Sequence, residues 1–415
     1  MNYFIKNIKI NKLFHLNNFN IPVNDEKCPH LIITGKNGSG KTVLLNAISD
    51  FLESIKNDTG MGFLGYKKNL DFHLKQKEQI TDQQQKMLIN QTIESWQKTI
   101  DALYGKVEIE SDNLVDVIEK YQEGNFIITF YQADRKSRMS EPKNPIKPTY
   151  NIKGNVRETA TYQFLNFLSD LKIQEALARN ENQLTDAENI RNWFIDFEGL
   201  LKQIYQDERL KIEFNYKDYS FKINTDGKSF KFTETSDGFA AVLDIIADLI
   251  LKMQDENSLV RIYQKQGIVL IDEVETHLHL GLQKIIMPVL TTIFPNIQFI
   301  ITTHSPFVLS SMNNAVAFDM EHREIINELT EYSYEALAEG YFGVRTESSY
   351  ADMQLNILQD LLNKKELSDT DKITIKQLIL DFDKIPEATA PLLVGKYMQI
   401  KIEYANVIKE LLSHD

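Results

Sequence analysis

Apolar residues recur along this chain at two periods, separated by polar breaks. Ile5 to Ile10 and Leu16 to Val23 read as opening strands, punctuated by Asn17-Asn18 and Pro22. Leu31 to Thr34 is a short run without polar interruption, the mark of a buried strand. Positions 43–52 (VLLNAISDFL) then carry apolar residues at helical spacing. From Gly60 to Glu123 the chain turns polar and Gln/Lys-rich. Its middle, Gln76 to Leu103, lacks Pro and Gly and has sparse apolar residues such as Met87, Ile89, Ile93, Trp96 and Ile100. This predicts a helical excursion, about 40 Å long if continuous at about 1.5 Å per residue. It reads equally as a hairpin or as a helical subdomain packed on the rest.

Residues 131–148 (YQADRKSRMSEPKNPIKP) hold five Lys/Arg, two acids and three prolines, so they form a loop or linker. A second helical block spans Glu158 to Gln206, with Trp193, Phe194, Phe197, Leu200 and Leu201 on its core face. Positions 211–232 alternate and turn at Asp226-Gly227, a hairpin signal, before a helix over Ala240 to Met253. Apolar strands follow at 268–271 and 298–303. Beyond them three amphipathic helices are expected: Met353, Ile357, Leu358, Leu361 and Leu362; Ile375, Leu378, Ile379 and Phe382; and Tyr397, Tyr404, Ile408 and Leu411. Pro386 and Pro391 separate the last two.

With 415 residues the chain can bury a large core in two or three lobes. Its 46 Lys+Arg against 59 Asp+Glu, a net of −13, do not advertise a nucleic-acid coat, although a local basic patch stays open. Arg135, Lys136 and Arg138 could form one, touching phosphates of nucleic acid or ATP, or could be a solvated loop. One cysteine, Cys28, precludes an internal disulfide and fits a reducing compartment. No apolar run reaches the length of about 18 residues that a membrane span needs. The N-terminal residues lack a signal-peptide pattern, so a soluble cytoplasmic protein is the expectation.

The chemistry begins between the first buried strand and the following helix. There Gly35, Lys36, Asn37, Gly38, Ser39, Gly40, Lys41 and Thr42 satisfy G-x-x-x-x-G-K-[ST]. Glycines let backbone N–H groups approach phosphate oxygens at a helix N-terminus, where the helix dipole favours anions. Lys41 is expected to reach the β/γ-phosphates, and the Thr42 hydroxyl to ligate Mg²⁺. The chain therefore reads as a nucleoside-triphosphate binder. Gly267 to Glu275 (GIVLIDEVE) is an apolar strand delivering two acids to its C-terminal edge, where α/β sheets place ligands. Asp272 is the expected Mg²⁺ residue and Glu273 the general base on the attacking water. About thirty residues on, the strand 298–303 runs into His304. A strand–helix–strand unit would set it beside Glu273, near a γ-phosphate. Ser236 and Gly238 open the 240–253 helix. They form a second anion-ready helix start, or simply an N-cap at Ser236.

In order and spacing, the phosphate loop at 35–42, S-x-G at 236–238, VLIDEVETHLH at 269–279 and ITTHSP at 301–306 resemble the ABC-type ATPase head. More narrowly, they resemble the branch shared by RecF, SMC proteins and the overcoming-lysogenization-defect (OLD) family. The resemblance implies an α/β fold: a P-loop head with a mixed sheet and an antiparallel lobe, helical insertions and a C-terminal helical appendage. It divides the chain into head lobe I at 1–59 and 126–136 and a helical insertion at 60–125. A linker and helical block at 137–209, the second head segment at 210–320 and a helical region at 321–415 complete it. It makes Ser236 and Gly238 the signature that completes a partner's site in trans, and His304 the switch histidine. Gln132, or equally Asp134, becomes the Mg²⁺ sensor, and Glu275, Thr276 and His277 fall in a dimer-facing loop. TSDGF lacks the signature's usual first leucine and second glycine, and Val274 replaces a common proline.

The implied ligands are ATP and Mg²⁺, and the implied first partner is a second copy of the chain, as a homodimer or larger homo-oligomer. Stand-alone heads of this branch resemble the ATPase subunits of bacterial anti-phage systems of Septu, retron and PARIS type, each paired with a separately encoded nuclease or toxin. Nucleic acid stays open as a further partner, and a membrane is not expected. A RecF-like DNA-repair ATPase and an ATP-binding scaffold with little turnover are the alternatives. Some OLD relatives carry a Toprim nuclease, which needs a strand-end glutamate and a strand-end D-x-D. Glu339-Gly340 and Asp381-Phe-Asp383 are present, but the residues before each do not read as strands, so no nuclease site is expected.

Overall fold

The computed structural model describes residues 5–23, 30–58, 60–111, 113–135, 139–142, 154–254, 263–326, 334, 337, 349–364, 366–386 and 390–412. They fall in two compact units, Met1–Tyr334 and Glu335–Asp415.

In chain order the first unit comprises β1 (Ile5–Leu13), β2 (Leu16–Pro22), β3 (His30–Thr34), α1 (Lys41–Ile55), α2 (Phe63–Gln79), α3 (Gln83–Tyr104), β4 (Val107–Ser111), α4 (Leu114–Glu123) and β5 (Phe126–Tyr131). Helices α5 (Phe164–Asn180) and α6 (Leu184–Tyr205), strands β6 (Lys211–Asn215), β7 (Ser220–Thr225) and β8 (Lys228–Lys231), and α7 (Asp237–Lys252) follow. It closes with β9 (Gln266–Ile271), α8 (Leu280–Ile293), β10 (Ile297–Thr302), α9 (Pro306–Leu309), β11 (Ala315–Asp319) and β12 (Glu324–Ile326). Three sheets result, in the orders β2-β1-β4, β12-β11-β3-β10-β9-β5 and β6-β7-β8. In the six-stranded sheet β11, β3, β10, β9 and β5 run parallel and β12 antiparallel. The other two sheets are antiparallel.

Burial explains the strand chemistry. Strands β3, β5 and β10 are buried at every residue, as expected of parallel strands covered on both faces. One apolar cluster joins Leu44, Ile48 and Phe51 of α1 to Ile8, Ile10 and Val107 of the β2-β1-β4 sheet and to Ile33, Leu270 and Ile300 of the six-stranded sheet. Because α1 begins at Lys41, this packing fixes the direction in which the phosphate loop leaves β3.

Several expectations are corrected. The 76–103 excursion is not one continuous helix. Ile80 leaves helical geometry, and Asp82 restarts the chain as an N-cap by accepting from Gln84 N at 3.4 Å. Helices α2 and α3 pack against each other as a hairpin, and α3 contains no buried residue. Strand β4, inside the segment read as a helical insertion, pairs with β1. The stretch 211–232 turns at Asp226-Gly227 as expected, with Thr225 opposite Lys228, and a further hairpin joins β6 to β7. Helix α7 starts at Asp237, three residues before its predicted start. Strand β12 extends the main sheet beyond residue 320, where a helical region was expected.

The second unit is helical: α10 (Ser349–Leu362), α11 (Asp369–Phe382), α12 (Pro391–Glu403) and α13 (Ala405–Leu412). Leu358, Ile375, Ile379, Tyr397 and Ile408 are among its core residues. The third predicted stripe is two helices, because α12 ends at its C-cap Tyr404. Met353, placed on the first stripe, is exposed. Among the described residues no helix is long and apolar enough to cross a membrane.

Candidate active site

The loop between β3 and α1 turns through Gly35, Gly38 and Gly40 at φ of 131°, 83° and 99°, all in the region that favours glycine. At Gly35 the constraint is also steric. A Cβ there would stand 3.0 Å from Ser39 Oγ and 3.1 Å from Asp319 Oδ1. The buried Lys41 folds back over the loop, its Nζ donating to Gly35 O at 2.8 Å and Lys36 O at 3.0 Å. Burial lowers the Lys41 pKa, opposed by the carboxylates of Glu273, Glu275, Asp272 and Asp319. On the other flank Lys36 pairs with Glu321 at 2.8 Å, while Glu321 N donates to Asp319 Oδ1 at 2.8 Å. The β11–β12 turn thereby holds the loop. Ser39 Oγ is buried with no hydrogen-bond partner among the described residues, a donor suited to a phosphate oxygen.

Asp272 follows β9 and accepts two hydroxyls on Oδ1, from Thr42 at 3.2 Å and from Thr302 at 2.6 Å. The two residues read as Mg²⁺ ligands thus touch across 230 positions of sequence, a donor set suited to a hard cation. Glu273 takes up φ of 44°, unusual for a residue with a side chain. Its N–H donates to Thr302 Oγ1 at 2.7 Å, and its Oε2 accepts from Thr276 Oγ1 at 3.3 Å. Thr302 therefore ties both acids to β10, which runs parallel to β9 with Ile301 opposite Ile271. Two residues past β10 lies His304. Burial, then the Lys41 charge, lower its pKa against the opposing pull of Glu273 and Asp272.

The loop after Glu273 turns partly inward. Glu275, expected to face a partner, accepts from Thr303 Oγ1 at 2.8 Å and from His304 N, and burial raises its pKa. It anchors the segment carrying His304. Thr276 bonds Glu273, and His277 is exposed at φ of 68°.

Gln132 and Asp134 are exposed just beyond β5. Arg135 was read as a phosphate contact or a solvated side chain. The structure gives it different work: its guanidinium donates to Gln132 O at 3.1 Å, Asp272 O at 2.8 Å and Glu273 O at 3.1 Å. Motif reading missed this, because the link spans 137 positions and ends on backbone atoms. Lys136 and Arg138 lie outside the described residues.

At the start of α7, Ser236 occupies the N-cap position and is exposed, but its hydroxyl makes no capping bond. A plain side-chain N-cap therefore does not describe it. Gly238 is buried, and a Cβ there would stand 2.6 Å from His277 O. Only glycine lets α7 approach the loop after Glu273 so closely. Farther along, Asp248 and Lys252 join α7 to β5. Tyr131 Oη donates to Asp248 Oδ2 at 2.7 Å, and Lys252 Nζ pairs with the same oxygen at 2.7 Å and donates to Thr129 Oγ1 at 2.7 Å. Their signal was an acid and a lysine four apart inside a mostly apolar helix.

In the second unit Asp381 and Asp383 lie at the end of α11 and pair with Lys384 at 3.2 Å and Lys401 at 2.9 Å. Glu339 and Gly340 lie outside the described residues.

Comparison with known proteins follows this geometry. A family profile described as "AAA domain, putative AbiEii toxin, Type IV TA system" matches residues 101–310. The match begins after the phosphate loop and takes in Gln132, Ser236, Gly238, Asp272, Glu273 and His304. The chain is 22% identical over 374 residues to "Retron Vc95 probable ATPase" of Vibrio cholerae serotype O1 biovar El Tor, covering 74% of this chain and 70% of that protein. It is 26% identical over 337 residues to "Septu protein PtuA" of Bacillus mycoides (strain KBAB4), covering 77% of this chain and 41% of that protein. A solved SMC head bound to the C-winged helix domain of ScpA aligns at 10% identity with a TM-score of 0.37, over 76% of this chain and 94% of that one. With half of its length inside the family profile, the chain belongs to this AAA-domain, AbiEii-type family.

Proposed function

We propose that this protein is an ATP-hydrolysing switch of the ABC-head type, working in a defence system beside a separately encoded nuclease or toxin. One observation carries the catalytic part: Lys41, Thr42, Asp272, Glu273 and His304 come together beyond the C-terminal ends of the parallel strands β3, β9 and β10. Lys41 binds and orients the β- and γ-phosphates through its buried ammonium. Thr42 and Asp272 would hold Mg²⁺, which offsets phosphate charge when bound. Glu273, aimed by its left-handed backbone and the Thr302 bond, takes the proton of the attacking water. His304 stands as a hydrogen-bonding partner for the γ-phosphate.

The exposed Ser236, uncommitted to its own helix, supports the second part: two copies face each other and each signature completes the other's site. The retron and Septu relatives support the defence setting, although the chain spans 70% and 41% of their lengths. The test is phosphate release under saturating ATP. Glu273→Gln should bind a fluorescent ATP analogue as wild type does while turnover falls about 100-fold or more, the range of a positioned general base. Equal, measurable turnover in the two proteins refutes Glu273 as the general base, and absent turnover in wild type refutes the hydrolytic reading and leaves an ATP-binding scaffold.

A further inference from the structure

The Arg135 guanidinium spans two segments that the reaction must coordinate. One amino group donates to Gln132 O at 3.1 Å and Asp272 O at 2.8 Å, and the other to Glu273 O at 3.1 Å. Val274 O lies at 3.5 Å from that second group. The side chain thus holds the backbone of both acids from behind while gripping the start of the loop after β5. Glu273 sits where such a grip matters. Its φ of 44° is not one that a glutamate adopts without support, and Asp272 N is already bonded to Tyr131 O at 2.8 Å. Removing the guanidinium would leave two turn carbonyls without these donors and free Glu273 to relax toward ordinary backbone angles. Lysine cannot replace it, because a single ammonium lacks the planar fork that reaches carbonyls on two segments at once.

We propose that Arg135 is a positioning residue for hydrolysis, fixing the aim of the Glu273 carboxylate and coupling it to the Gln132–Asp134 loop. Displacement of that loop moves the guanidinium, and the guanidinium moves the base. The inference rests on Glu273 being the general base, as set out above. Arg135 touches neither phosphate nor water in this scheme, so its loss is read in turnover and not in nucleotide affinity.

The experiment compares wild type, Arg135→Met, Arg135→Lys and Glu273→Gln in steady-state ATP hydrolysis. Binding of a fluorescent ATP analogue, thermal melting and added guanidinium chloride at non-denaturing concentration complete it. Arg135→Met should lose about 100-fold in kcat, the effect of a misplacement near 1 Å, with KM and analogue binding unchanged. Guanidinium should restore part of that loss in Arg135→Met and nothing in Glu273→Gln. Arg135→Lys should remain well below wild type. Wild-type kcat in Arg135→Met overturns the proposal, as does a loss of analogue binding and melting temperature together, which marks a purely structural role. Wild-type turnover in Glu273→Gln removes the underlying reading instead, whatever Arg135 does.

Discussion

His30 shows how a single buried side chain makes this fold sensitive to pH. It opens β3, is 4% exposed, and accepts Phe299 N–H on Nδ1 at 3.2 Å. Burial pushes its pKa down to about 4. Between the unfolded value of 6.5 and about 4 the unfolded chain takes a proton that the native site refuses. This contribution is therefore fully present above pH 6.5 and is lost as the pH falls toward 4. By pH 5 the loss amounts to about 2 kcal/mol. Urea titrations at pH 7 and 5 should show wild type losing that much more stability than His30→Gln, whose amide oxygen can still accept from Phe299. Equal losses would mean that His30 is not held neutral. At this scale the legible residues were those whose motif is local: Gly35 to Thr42, Asp272, Glu273 and His304. The backbone contacts of Arg135 and Glu275 to distant segments were not legible, because a carbonyl or N–H carries no side-chain signature.

Helix α7 and strand β5 behave as one element. The Asp248–Lys252 pair, Tyr131 Oη, Thr129 Oγ1 and Ala160 N–H form a buried network in which Asp248 is 0% exposed. The network thus joins the C-terminal half of α7, the helix that Ser236 opens, to β5, the strand that Gln132 follows. Removing one partner of a buried ion pair strands the other charge. Asp248→Ala should accordingly lower the unfolding free energy by about 3 kcal/mol or more in urea titration. Asp248→Asn, which keeps the side-chain volume and one of the two acceptor oxygens, should lose less. Equal, small losses would show that the network is not a structural joint. Periodicity located most elements but not their ends. The break at Ile80–Asp82 was announced by an N-cap residue inside a run with no Pro or Gly. Helix α7 runs back to Asp237 because only a glycine at 238 can pack against His277 O, a reason that lies in the partner segment.

For the molecule as a whole, the family resemblance implied a P-loop head with a mixed sheet and an antiparallel lobe, and the six-stranded sheet is mixed while the other two are antiparallel. Pairings across long separations were not legible: β3 sits between β10 and β11, and β5 at the sheet's edge beside β9. The net charge of −13 says nothing of where a second copy would bind. In the proposed dimer that contact falls to Ser236, which is exposed and makes no side-chain capping bond to its own helix. The account stands or falls on whether ATP brings two such surfaces together. Light scattering on Glu273→Gln, with and without ATP and Mg²⁺, measures this directly. The mass should at least double when nucleotide is added, and Ser236→Arg in the same background should abolish the change. A mass that stays monomeric with nucleotide bound would contradict the composite site and the switch built on it.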